Sequence, residues 1–179
     1  LVTGGSSGAQ SINLTLRKAL PDLLRMFHVL HLCGTGNLDD TLEGTRNYCQ
    51  IEYLTQEMPD AYAAADIVVS RAGSNTVCEL LALNKPTLLI PYPKSASRGD
   101  QLLNAESVAS RNLAMVLMQE DMTTEVLVQR IQKLYKERGQ LIDQMEKEPS
   151  KDGVKHVMQH IRTYAKNAKS EAPDGKSAG

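Results

Sequence analysis

The stretch Ile67-Val68-Val69-Ser70-Arg71-Ala72-Gly73-Ser74-Asn75-Thr76-Val77-Cys78-Glu79 decides the fold. Three β-branched residues in a row, with no polar alternation, describe a strand covered on both faces, as the strands of a parallel sheet are. Gly73 then begins a turn, and a helix starts near Ser74. A buried strand that runs through a glycine loop into a helix is the repeating unit of a doubly wound α/β sheet. The first backbone N–H groups of that helix, those of Ser74, Asn75 and Thr76, lack intrahelical acceptors and lie at the positive end of the helix dipole, which suits an anion. Glu79 follows a little over one turn later. A carboxylate only accepts, so it can take hydrogen bonds from two neighbouring hydroxyls, as on a ribose diol. Taken alone, the same residue reads more simply as a solvated group complementing the dipole.

The unit recurs upstream. Leu1-Val2-Thr3 runs into Gly4-Gly5-Ser6-Ser7-Gly8-Ala9, and a helical pattern follows. Glycine allows a sharp turn and close approach of a ligand to the backbone. Ser6 and Ser7 add hydroxyl donors beside a second helix start. No Gly-Lys-Ser/Thr follows, so this is not a Walker loop, and the G-x-G-x-x-G spacing of the dinucleotide fingerprint is missing. A phosphate contact and a plain strand-to-helix turn are equally compatible with this loop alone. Downstream, Pro91-Tyr92-Pro93-Lys94-Ser95-Ala96-Ser97-Arg98-Gly99-Asp100-Gln101 leaves another apolar run, Leu88-Leu89-Ile90. Long loops at strand ends often carry function. Asp100, Gln101 and Asn104 offer groups suited to sugar hydroxyls, or Asp100 simply caps a helix.

Between these loops the pattern alternates. Strands are expected over residues 1–3, 28–33, 49–54, 67–70, 87–91 and 114–117, and helices near 9–24, 59–65, 76–83 and 102–110. The fold class is therefore α/β, a doubly wound, Rossmann-like parallel sheet whose ligands bind at the carboxyl ends of the strands. After Asp121 the strands stop. Thr123 or Thr124 caps a helix to about residue 138, a second helix covers about 140–147, and a third about 153–166. Residues 167–179 show no apolar periodicity and are expected to be a disordered tail of a domain spanning 1–166.

Composition narrows the function classes. The 179 residues suffice for one domain with a real core. A net charge of -1 gives no broad nucleic-acid-binding face. Aromatics are 4% of the chain, which leads us to expect a pocket built from backbone and polar groups more than from rings. Cys33, Cys49 and Cys78 are odd in number and lack CxxC spacing, so neither a disulfide framework nor a zinc cluster is expected, and a reducing cytoplasm fits. His28 and His31 lie in or beside a strand and read as structural. His156 and His160 share a helix face, but no third ligand accompanies them, so no metal is expected. Apolar runs are too short to span a bilayer.

The three loops, in this order, resemble the C-terminal half of the MurG family, the N-acetylglucosaminyltransferases of peptidoglycan synthesis. Gly4 to Ala9 is similar to the family's G-G-S-x-G-A. Arg71, Gly73, Thr76 and Glu79 are in register with its R-[SA]-G-x-x-T-x-x-E, and Gln101-Leu102-Leu103-Asn104-Ala105 with its Gln-x-x-Asn-Ala. Glu52-Tyr53-Leu54 followed by Met58 resembles the strand and turn that face the base. The likeness covers roughly residues 1–165.

The resemblance implies the C-terminal domain of a glycosyltransferase B fold that binds UDP-N-acetylglucosamine, without a cofactor. Leu54 would pair with uracil through its backbone. Ser74, Asn75 and Thr76 would hold the base edge and α-phosphate, Glu79 the ribose diol, Ser6 the diphosphate, and Gln101 and Asn104 the sugar hydroxyls. Gly5 and Gly73 are, with Asp100, secondary candidates for substrate contact. Asp100 stands where relatives more often carry Gln or His, which weakens its case as a sugar ligand. Arg71 either offsets nearby charge or pairs within the fold, and the structural role is the one expected. The family inverts the anomeric centre with a general base on its N-terminal, acceptor-binding half, so no catalytic residue is expected here. We read the chain as part of a longer protein, peripheral on the cytoplasmic face of the membrane, whose lipid-linked muramyl-pentapeptide acceptor and membrane contact belong to that other half. The alternatives are the donor half of another UDP-sugar transferase and a stand-alone nucleotide-sugar-binding subunit.

Overall fold

Among the described residues, six short strands alternate with five α-helices, as the apolar runs require. The strands are β1 (Val2–Thr3), β2 (Val29–Leu32), β3 (Tyr48–Ile51), β4 (Val68–Ser70), β5 (Thr87–Leu89) and β6 (Met115–Val116). The helices are α1 (Gln10–Leu23), α2 (Met58–Ala64), α3 (Ser74–Ala82), α4 (Asp100–Ala109) and α5 (Thr124–Glu146). The structure, a computed structural model, describes residues 1–5, 9–93 and 99–148. The expected helix over 153–166, the tail and His156 and His160 lie outside them, as does Ser6.

All strand pairs are parallel, and the order is β3-β2-β1-β4-β5-β6. The chain winds outward from β1 to β3, then returns to lay β4 on the other side of β1. The carboxyl ends of β1 and β4, each followed by a glycine loop, thus form the switch point where open α/β sheets bind ligands. The strands are shorter than expected by one or more residues at most ends. Their flanks continue the ladder in extended but irregular backbone, as where Ile90 N–H donates to Ser70 O at 2.8 Å.

Val68, Leu88, Leu89 and Ile90 are essentially inaccessible, which is why these strands show no polar alternation. On one face α1 buries Ile12, Leu16, Leu20 and Leu23 in a cluster that also takes in Leu127, Ile131 and Leu134 of α5. On the other, Tyr62 and Leu80 close over Val68.

The two helices expected across residues 123–147 are one. Thr123 caps it, its hydroxyl accepting from Val126 N–H at 3.2 Å. Gly139 does not break it, because the buried stripe Leu127, Ile131, Leu134, Leu141 and Met145 continues past the glycine and burial outweighs the ~1 kcal/mol glycine cost.

A buried polar chain ties α1 to β2 and β3. Asn13 Nδ2 donates to Cys33 O at 2.7 Å, which leaves Asn13 Oδ1 to accept from His31 Nε2 at 2.9 Å. His31 Nδ1 must then accept from the Tyr48 hydroxyl, also at 2.9 Å. Every member is satisfied, as buried polar groups must be. Burial first, and the nearby Arg17 charge second, lower the His31 pKa from 6.5 to about 4.

Candidate functional site

A cavity of about 390 Å³ opens at the carboxyl ends of the strands. It runs from Glu52, Tyr53, Leu54 and Met58, after β3, past Thr3, Gly5, Ser70 and Gly73 at the switch point, to Tyr92 and Gln101 after β5. A larger hollow of about 570 Å³ lies at the opposite, amino ends of the strands around Phe27, Val29 and Ile67. It contains neither glycine loop and neither helix start, so the chemistry points to the smaller one.

The loop after β1 is built around a close approach. A Cβ on Gly4 would lie 2.4 Å from Ala9 N and 2.5 Å from Ala9 Cβ, so only glycine lets α1 start directly behind the strand. Gly5 has φ +85°, the left-handed region that side chains disfavour. Ala9 caps α1 without any side-chain bond, leaving the first N–H groups of the helix for another acceptor.

Gly73 is different. It caps α3 with φ -64° and ψ 139°, which any residue adopts. A Cβ there would meet nothing nearer than Thr76 Oγ1 at 4.0 Å. No contact within the protein demands glycine, yet the residue lines the cleft. The bare α-carbon therefore leaves room for a ligand against the N–H groups of Ser74, Asn75 and Thr76. The first bond of the helix, Val77 N–H to Gly73 O at 2.9 Å, starts only after them.

Of the residues expected in the site, Gly5, Leu54, Gly73, Thr76 and Gln101 line the cleft. Ser74 and Asn75 are exposed at the adjoining mouth of α3, and Leu54 sits on irregular backbone beyond the end of β3. Glu79 is exposed and does not line the cleft wall itself, but its neighbour does. Tyr62 is buried there, and its hydroxyl pKa is raised by burial and then by the charge and hydrogen bond of Glu79. Asn104 turns inward, Nδ2 donating to Ala72 O at 2.9 Å, and so braces the second glycine loop. Gln101 Oε1 accepts from Tyr92 N–H at 3.2 Å, which leaves its amide N–H groups to offer. Asp100 is exposed and is not the helix cap. Gly99, with φ +89°, takes that place, and Asp100 is the first helical residue.

One feature of the cleft escaped the sequence reading. Three of the chain's six tyrosines, Tyr53, Tyr62 and Tyr92, line the cleft, against the expectation of a ring-poor pocket. Low overall aromatic content does not say where the few rings gather. The i, i+4 spacing of Met58 and Tyr62 on α2 was the available signal. Arg71 is buried, as its expected internal role requires. Nη1 donates to Ile90 O at 3.0 Å and Pro91 O at 3.3 Å, while Nη2 donates to Ser11 Oγ at 2.9 Å and Gln119 Oε1 at 2.7 Å. The guanidinium lies 3.9 Å from the Tyr92 ring centroid. These partners are all neutral, so a buried positive charge forms part of the cleft wall. Burial lowers its pKa, with Tyr92 opposing.

Among the described residues no group of three or more His, Cys, Asp or Glu could hold a metal ion, and no helix is long and apolar enough to cross a membrane. Cys33, Cys49 and Cys78 are free thiols.

The same fold recurs in known proteins. The structure of Acinetobacter baumannii MurG superposes with a TM-score of 0.70 at 28% identity, covering 90% of this chain and 48% of that one. A glycosyltransferase of kitacinnamycin superposes with a TM-score of 0.62 at 20% identity, a likeness of fold alone. Proteins named UDP-N-acetylglucosamine–N-acetylmuramyl-(pentapeptide) pyrophosphoryl-undecaprenol N-acetylglucosamine transferase match over 166 residues, 93% of this chain: 49% identical in Lachnospira eligens, 43% in Clostridium botulinum and 48% in Geobacillus thermodenitrificans. The chain spans 47% of the length of each. The sequence profile of the glycosyltransferase family 28 C-terminal domain matches residues 1–161. The chain belongs to that family, and its cleft lies on the family's C-terminal domain.

Proposed function

We propose that this chain binds UDP-N-acetylglucosamine as the donor half of an inverting transferase. That enzyme moves N-acetylglucosamine to the 4-hydroxyl of the lipid-linked muramyl-pentapeptide in peptidoglycan synthesis. The observation that carries the reading is Gly73. An unstrained glycine, not required by packing, bares the start of α3 toward a cleft at the switch point of the sheet. The N-acetylglucosamine transfer for which relatives 43–49% identical are named supports this choice of substrate.

The donor lies along the strand order. Uracil sits at the β3–α2 end, paired with the Leu54 backbone beside Tyr53. The ribose diol donates to Glu79, which Tyr62 orients. The diphosphate rests on the N–H groups at the starts of α3 and α1, with Ser6 adding its hydroxyl. N-acetylglucosamine reaches the β5–α4 end, where Gln101 and, less directly, Asn104 meet it. As the glycosidic bond breaks, charge grows on the departing diphosphate. Fixed N–H dipoles at the two helix starts stabilise it without having to reorganise.

The general base that deprotonates the acceptor hydroxyl, the lipid acceptor site and the membrane contact are assigned to the part of the relatives that this chain does not span. The enzyme would work at the cytoplasmic face of the membrane. The chain by itself is expected to bind donor weakly and not to turn over.

Calorimetric titration with UDP-N-acetylglucosamine, UDP-glucose and UDP-galactose tests the assignment. Tighter binding of the N-acetylglucosamine form supports it. Equal binding of all three would leave only a general UDP-sugar transferase, and tighter binding of another sugar would overturn it.

A further inference from the structure

The β5–α4 wall of the cleft is registered on a single buried side chain. Arg71 spans from the carbonyls of Ile90 and Pro91 to Ser11 Oγ and Gln119 Oε1, and its flat face covers the Tyr92 ring. Tyr92 is thus held twice, through the stack and through the two carbonyls preceding it. Its own N–H then fixes Gln101 Oε1, and Asn104 ties α4 to Ala72, the residue after Arg71. The opposite end of the cleft, at Tyr53, Leu54 and Met58, shares none of these contacts.

We propose that Arg71 is a positioning residue for the donor's sugar: by fixing Tyr92 and, through the Tyr92 amide, Gln101, it shapes the end of the cleft that reads the hexose, and leaves the nucleotide end unaffected. This rests on the nucleotide-sugar reading above. The role needs a planar fork with donors on both sides and a face that stacks. Lysine keeps the charge but offers one nitrogen and no plane, so Arg71→Lys separates geometry from charge.

The whole chain, its Arg71→Lys variant and its Tyr92→Leu variant are titrated with UDP and with UDP-N-acetylglucosamine, and exchange of the Tyr92 amide is followed in the same samples. The unaltered chain gains affinity from the sugar. Both variants keep UDP affinity within about twofold and lose about tenfold for UDP-N-acetylglucosamine, the worth of one well-made hydrogen bond. Tyr92 amide exchange quickens in Arg71→Lys. An equal loss for both ligands, which general loosening of the fold would produce, overturns the inference, and so do unchanged affinities. Should Arg71→Lys fail to fold, Tyr92→Leu decides alone by the same ratio. An unaltered chain that binds no UDP, or gains nothing from the sugar, sinks the donor reading and this inference with it. Discrimination that survives in both variants sinks this inference only.

Discussion

Gly4 and Ala9 meet so closely that no side chain fits between them: a Cβ on Gly4 would fall 2.4 Å from Ala9 N and 2.5 Å from Ala9 Cβ. Backbone and a helix start cannot swing aside as a flexible side chain can. Gly4→Ala should therefore cost about 1–3 kcal/mol of stability, the range for forced overpacking, read as a lower urea midpoint with an unchanged slope. A midpoint equal to that of the unaltered chain would mean that α1 can retreat from β1.

Gly73 predicts the opposite pattern. Its backbone is ordinary and the space beside it is open, so Gly73→Ala should leave stability within about 1 kcal/mol. The new methyl group would stand where a phosphate approaches the N–H groups of Ser74, Asn75 and Thr76, so UDP affinity should fall about tenfold or more. A variant as stable as the parent that binds UDP equally well would remove the reason given for this glycine.

His31 makes stability depend on acid. Its pKa falls from 6.5 to about 4 on folding, so the unfolded chain binds more protons between those values. The contribution is complete above pH 6.5 and is lost as pH falls toward 4, to a total of about 3 kcal/mol, given that the side chain is fully buried. Carbon chemical shifts of the imidazole should show a midpoint near 4 in the folded chain. A midpoint near 6.5 would show that Asn13 and Tyr48 do not hold the ring neutral.

How much of this was legible depends on how local each cause is. Ile67-Val68-Val69 and Leu88-Leu89-Ile90 announced doubly covered strands because burial on both faces erases polar alternation. The start of α3 at Ser74 could be read because Gly73 and the helical pattern adjoin. Arg71 could be foreseen as internal, but its partners Ser11 and Gln119 lie 60 and 48 residues away, and no local pattern names them. The break expected between residues 138 and 140 does not occur, because the buried stripe of α5 runs through it. Asp100 looked like a cap until Gly99, in the left-handed region, took that role. The approach of Tyr62 to Glu79 joins α2 to α3 across β4, a tertiary fact invisible in either segment.

UDP binding through Glu79 is the central feature of the proposed donor site. The folded chain and its Glu79→Ala variant should be titrated with UDP and with 2′-deoxy-UDP. The expected result is UDP binding by the unaltered chain, weakened about tenfold in the variant, with the preference for ribose over deoxyribose lost. A folded chain that binds no UDP at ~1 mM, an affinity of about -4 kcal/mol, or a variant that binds UDP and keeps its ribose preference, would contradict it.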